Sequence, residues 1–306
     1  MSTAKILRVY LDPEPLDRAR SGKFNFVNKI AETIEDRGFQ VELRKNSPNQ
    51  RLKSAARNGY SLFLMDDPLH KNALTMRRSY FYPFWRIEAS AKRWEFEVAT
   101  KTFDPSLIDR DSAGAWADRW RKWLFKGAAD NVTYDGPIYV PLQGRLLHHR
   151  SFQAASPIEM LERTATYFAD APILAGLHPS EVYTSAERKA LQATSERYPN
   201  LRVVEGQMEP ALKECRFVVT QNSSAALFGY FFHKPAALFS KIDFHHIAAN
   251  VHELGYEEAF DAVQNARPNF DQYLYWFTIE NAIRADADDV SNQILSTLRK
   301  HGWKLD

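Results

Sequence analysis

Short apolar runs alternate with helix-like stripes twice along this chain, and that repeat confines the fold more than any other feature. In the first half, Ile6–Leu11 reads as a strand. A stripe of Phe26, Val27, Ile30 and Ile34 follows at helical spacing, with Gly38 near its end. Residues 41–43 and 61–65 are the next apolar runs, with a short basic helix around Leu52 between them. A β-α-β-α-β order of this kind predicts parallel strands, because strands running the same way need a crossover between them. The third run ends in Asp66-Asp67-Pro68, at the kind of strand end where open α/β sheets place ligands. Residues 72–126 read as largely helical, and Trp116, Trp120 and Trp123 share one helical face, read as packing.

The alternation restarts after the turn formers of residues 127–136. Strands are expected at Ile138–Leu142, Ile173–Leu177, 201–204, 217–220 and 235–239. Ser156 with Pro157 and Glu159 has the pattern of a helix cap, and Ser185 and the Gln221-Asn222-Ser223-Ser224 group open two further helices. Residues 257–298 read as helices with polar faces. The expected fold class is α/β, with two Rossmann-like β/α domains facing a central cleft. The domains are residues 1–130 and 137–275, with 276–306 as a C-terminal helical segment. A length of 306 residues agrees with two domains.

Forty Lys+Arg against 38 Asp+Glu leave a formal charge of +2. That balance argues against a nucleic-acid partner, although Arg77, Arg78, Arg86, Lys92 and Arg93 are interleaved with aromatics. The single cysteine, Cys215, excludes a disulfide framework and a Cys-based zinc site. With no signal-peptide-like start and no run of about 18 apolar residues, a cytoplasmic protein is expected.

Polar residues stand at the ends of the second set of strands: Gln143, His178, Glu205 and the Gln221–Ser224 group. In a parallel sheet these ends lie on one edge. A helix that opens at Ser223-Ser224 offers free N–H groups and a positive dipole end, which suits a phosphate; the plainer reading is a serine cap. His178, turned by Pro179, suits donation to a phosphate oxygen or protonation of a leaving group. Glu205 suits a ribose or a base. Arg145, His148 and Arg150 form one cationic loop, and Lys241, His245 and His246 another. The pairs His148-His149 and His245-His246 lack metal-ligand spacing, so no metal is expected. No GxGxxG, GxxxxGK[ST] or GxSxG motif occurs.

Pro141-Leu142-Gln143, His178-Pro179 and Asn222-Ser223-Ser224 together resemble the capsule polysaccharide biosynthesis family, which includes β-Kdo transferases. The continuation to Gly229 and His233-Lys234-Pro235 resembles that family's Gly-Lys-Pro turn. The likeness covers residues 138–250. It implies a GT-B glycosyltransferase with the donor on the C-terminal domain and the acceptor facing the N-terminal one. The implied co-substrate is a CMP-activated acidic sugar, Kdo or another, with no metal or other cofactor. His178 and Ser223 or Ser224 would hold the CMP phosphate, and Gln143 would sit near the sugar. Arg145, Pro179, Glu205, Gln221, Asn222, His245 and His246 complete the candidate substrate site. The implied partners are a glycan or glycolipid acceptor and membrane-bound assembly machinery met at the inner face of the membrane. One departure matters: the family often carries an acid a few positions after the Pro-Leu-Gln strand, and here GRLLHHRSFQ has none. The acid would then come from elsewhere, such as Asp66 or Asp67 of the first domain, with His178 as the other catalytic residue; alternatively the chain uses another mechanism, or is a non-catalytic carbohydrate- or nucleotide-binding component that keeps the fold.

Overall fold

Each run of alternating strands and helices closes into its own six-stranded sheet in the computed structural model, which describes residues 4–305. The chain divides into two compact units. One holds the chain up to Lys101 together with Phe277 onward; the other holds Thr102–Trp276. The turn-rich stretch 127–136 therefore lies inside the second unit rather than between units.

In the first unit, β1 (Ile6–Leu11), β2 (Gln40–Lys45), β3 (Tyr60–Leu64) and β4 (Ala73–Arg78) are parallel, in the order β4-β3-β1-β2. β5 (Phe84–Glu88) adds to β4 antiparallel, and the short strand Ile283–Arg284 adds to β5. β4 and β5 correct the expectation of a largely helical stretch after residue 72. Every residue of β5 and four of the six of β4 are buried. A strand covered on both faces loses its period of two, so its density of apolar residues mimics a buried helix. The helical reading holds further on, at Arg110–Phe125, where Trp116 is buried while Trp123 stays 61% exposed.

The C-terminal segment is also not separate. Helix Val290–Lys300 lays Ile294, Leu295 and Leu298 into the same core as Ile30 and Ile34 of helix Asn25–Glu35. Trp303 then stacks on Tyr60 with ring centroids 4.4 Å apart. Burying an apolar stripe against a sheet is the main source of stability for a helix of this length.

The second unit carries β6 (Ile138–Leu142), β7 (Ile173–Leu177), β8 (Leu201–Glu205), β9 (Val218–Thr220), β10 (Ala236–Leu238) and β11 (Ala249–Asn250). All run parallel, in the order β11-β10-β9-β6-β7-β8. The chain goes one way from β6 through β8, then returns to the other side of β6 with β9. The topological switch point therefore lies between β6 and β9, where such sheets take their ligands.

Pro141 shapes that point. β6 and β9 pair at one register position, Tyr139 with Val218, and the Tyr139 N–H reaches the Phe217 carbonyl at 3.1 Å. The next donor on that side of the ladder falls at Pro141, which has no N–H. Instead the Thr220 hydroxyl donates to the Pro141 carbonyl at 2.9 Å. The two strand ends are thus left without a main-chain ladder at the carboxyl edge of the sheet.

Candidate functional site

The carboxyl ends of the second sheet line up as Glu205, His178, Gln143, then the Gln221–Ser224 group, in the order of their strands. β6 stands between β7 and β9, so His178 and Ser223 flank Gln143 instead of adjoining each other. Two strand spacings are about 10 Å, a gap that one phosphate with a hydrogen bond on either side roughly fills.

Ser223 is buried and caps the helix Ser224–Phe231, its hydroxyl accepting from the Ala225 N–H at 3.3 Å. The backbone N–H groups of Ser223 and Ser224 have no acceptor among the described residues. These are the orphan donors of a helix start, with the positive end of its dipole behind them. Asn222 and Ser224 are half-buried beside them.

His178 is exposed at the end of β7. The Ser180 N–H donates to its Nδ1 at 3.2 Å. In the neutral ring this places the proton on Nε2, so the imidazole is held as a donor. Its own backbone N–H donates to the Tyr183 hydroxyl at 2.9 Å, and that hydroxyl donates to the Leu142 carbonyl at 3.3 Å. Tyr183 thus ties the ends of β6 and β7 together.

The loop after Gln143 turns at Arg145, whose φ of +63° is left-handed for a residue with a side chain. Arg150 lies over the Phe152 ring, with its guanidinium carbon 4.9 Å from the centroid. Burial, and then the neighbouring Arg145, push the Arg150 guanidinium below its ordinary range, against the pull of Glu181. Arg150 Nε is buried and has no acceptor among the described residues. A buried cationic donor without a partner is costly unless an anion meets it.

Glu187 pins this loop. One carboxylate oxygen accepts from the Leu146 N–H at 2.6 Å; the other accepts from the Thr184 N–H and hydroxyl, both at 2.8 Å. The helix cap is therefore Thr184, one residue before the expected Ser185. Burial works to raise the Glu187 carboxyl, but these hydrogen bonds hold it below its usual 4.5. Such a group gives its stability above the unfolded value and loses it as the pH falls. Glu187→Gln is expected to lower unfolding stability by about 1–3 kcal/mol at pH 7. It should also flatten the acid loss below about pH 4.5. Urea unfolding at pH 7 and pH 4 checks both; a wild-type midpoint at pH 7 would refute them.

Other candidates have structural partners. Gln221 is buried, its Nε2 donating to the Ala155 carbonyl at 3.0 Å and its Oε1 accepting from Ser240 at 2.6 Å. It knits the β6 loop to the end of β10. His246 shares a hydrogen bond of 3.0 Å with the Tyr273 hydroxyl, and His245 stacks on it with centroids 4.3 Å apart. Glu205 is exposed at the sheet margin, and Pro179 is exposed beside His178. In the first unit, Asp66 pairs with Arg51 at 3.0 Å and accepts from Asn46 at 2.5 Å, while Asp67 accepts from the Ala91 N–H at 2.8 Å.

The His233-Lys234-Pro235 turn lies at the opposite edge of the second sheet, between helix Ser224–Phe231 and β10. His233 has a φ of +53°, the left-handed value that a glycine would take there without strain. Lys234 is fully buried; its Nζ donates to the Thr133 carbonyl and, at 2.5 Å, to the Cys215 carbonyl, under the Tyr134 ring. This turn is a structural lock.

Among the described residues no three His, Cys, Asp or Glu side chains gather in a way that holds a metal ion. No helix of the described residues is long and apolar enough to cross a membrane.

No family model matches the chain, and no curated protein matches its sequence. Among solved structures, it is similar to KpsC, a β-Kdo 2,7 transferase of Thermosulfurimonas dismutans. The identity is 11%, the match covers 97% of this chain and 99% of that one, and the TM-score is 0.56. It is also similar to a UDP-GlcNAc 2-epimerase from Neisseria meningitidis bound to UDP-GlcNAc, at 12% identity, 96% and 99% coverage and a TM-score of 0.38. The chain has the α/β fold of GT-B type, with two parallel-rich sheets of six strands.

Proposed function

We propose that the protein is a glycosyltransferase of surface polysaccharide synthesis that moves an acidic sugar, Kdo or another, from a CMP-activated donor to a glycan acceptor. The observation that carries this reading is the buried Arg150 Nε, without an acceptor among the described residues, in the loop at a switch point that also presents the free N–H groups of Ser223 and Ser224. Cations and helix-start donors on one strand-end edge suit the phosphate of a nucleotide. His178 Nε2–H faces the leaving phosphate oxygen from the other side of Gln143, which stands nearest the sugar. Arg145, Asn222 and Glu205 line the same edge, and Gln221 holds its frame. The phosphate charge is met by side chains and backbone, so the reading calls for no metal. A glycan or glycolipid acceptor, and contact with membrane-bound assembly machinery, belong to the same proposal.

Calorimetric titration with CMP, CDP, UMP and UDP tests the donor site. Arg150→Ala is expected to weaken CMP about 10- to 150-fold, since a hydrogen bond to a charged group contributes about 1.5–3 kcal/mol. No binding by any of the four nucleotides would overturn the reading.

A further inference from the structure

From Gly144 to Gln153 the loop after β6 carries no carboxylate. Glycosyl transfer nevertheless needs a group that takes the proton of the attacking hydroxyl. The neighbouring strand end brings one in. Glu181 stands in the turn after β7, its N–H donating to the His178 carbonyl at 3.1 Å. Its Oε2 occupies the space above Gly144, 2.5 Å from where a β-carbon on that residue would lie. A glycine at 144 is what leaves this room. The Glu181 side chain is exposed, and its carboxylate has no hydrogen-bond or ion-pair partner among the described residues. Arg150 feels its charge together with that of Arg145, so the carboxylate over Gly144 lies within electrostatic reach of the cationic loop. The same short turn that fixes His178 as an Nε2–H donor therefore lays an unengaged carboxylate beside Gln143.

We propose that Glu181 is the catalytic base of this site, an assignment that rests on the nucleotide-sugar reading above. The acceptor hydroxyl oxygen bonds to the anomeric carbon of the donor sugar, and its proton passes to the Glu181 carboxylate. The bond from that carbon to the phosphate oxygen breaks. Its electron pair leaves on the nucleotide phosphate, where the His178 Nε2–H and Arg150 meet the charge. Water in place of the acceptor gives hydrolysis of the donor by the same route.

The test uses the full chain, with CMP-Kdo and CMP-N-acetylneuraminate as probes. CMP release is measured net of spontaneous hydrolysis, and CMP affinity by calorimetry. Glu181→Gln is expected to lower CMP release by about 100-fold or more, the usual contribution of a general base. CMP should bind it as well as the wild type or more tightly, because a negative charge near the phosphate has gone. Gly144→Ala puts a β-carbon where the carboxylate now lies and should give a smaller loss without changing the acid itself. Release by Glu181→Gln within about threefold of wild type overturns the assignment and leaves the nucleotide-sugar reading standing. A parallel loss of CMP affinity and release in Glu181→Gln also overturns it, since a base does not hold the nucleotide. A wild type that binds CMP but releases none from either probe overturns the transfer reading, and the base with it.

Discussion

Lys234→Met is expected to lower the unfolding stability of the protein by about 2–5 kcal/mol at pH 7. The methionine fills a similar volume, so the loss is one of hydrogen bonds. Two carbonyls, those of Thr133 and Cys215, lose the ammonium that reaches them, inside a site where Lys234 is fully buried. Thr133 belongs to the turn-rich stretch that joins helix Arg110–Phe125 to β6, so the substitution also loosens the entry to the second sheet. Burial holds the Lys234 ammonium down to about 8, from an ordinary 10.5. Between those values the unfolded chain binds the proton more firmly than the folded one, so stability on this account rises with pH. The gap between wild type and variant should therefore widen from pH 8 toward pH 10. Urea unfolding across that range reads both effects. An unchanged midpoint at pH 7, or a gap that narrows with pH, would refute the account.

His178→Ala is expected to slow donor turnover by about 100- to 1000-fold, the cost of removing one donor aimed at developing charge. The ring is held by the Ser180 N–H on Nδ1, which leaves Nε2–H as the group it presents. His178→Gln separates two roles for that group. A glutamine amide donates a hydrogen bond but cannot release a proton to the leaving phosphate. Recovery of most of the rate in His178→Gln would assign His178 to charge stabilisation; no recovery would assign it to proton donation. Wild-type turnover in His178→Ala would remove it from the reaction altogether.

Much of the second sheet is legible in its residues. Ile173–Leu177 and Ile138–Leu142 are continuous apolar runs bounded by turn formers, as parallel strands covered on both faces must be. β4 and β5 are not legible, for the same physical reason. Their buried residues on both faces follow one another without a clear break, and the tight connection at residues 79–83 sits inside an aromatic cluster. The return of helix Val290–Lys300 to the first unit is a long-range event that no local pattern announces. At the site, the residues place the strand ends correctly but not their neighbours. Nothing in the sequence says that β6 enters between β7 and β9; chain order alone would set Glu205, not Gln143, between His178 and Ser223. Gln221 looks like a ligand group because it is polar at a strand end; its partners, Ala155 and Ser240, come from two other loops. Glu181 escapes notice because it meets Gly144 only through the pairing of β6 with β7. The glycine is the available signal, and a lone glycine after a strand more often marks a plain turn.

Pro141 separates two things that usually change together. The missing ladder bond between β6 and β9 is a property of the main chain, set by a ring that has no N–H to give. In the proposed reading, the groups that choose a ligand there are side chains on loops that hang from the strand ends. Descendants of such a chain are free to exchange Arg145, Arg150, Glu181 or Asn222 and so alter what is held, while the opening that receives it is inherited intact. Recognition can drift in this architecture without the fold having to be rebuilt around each new substrate.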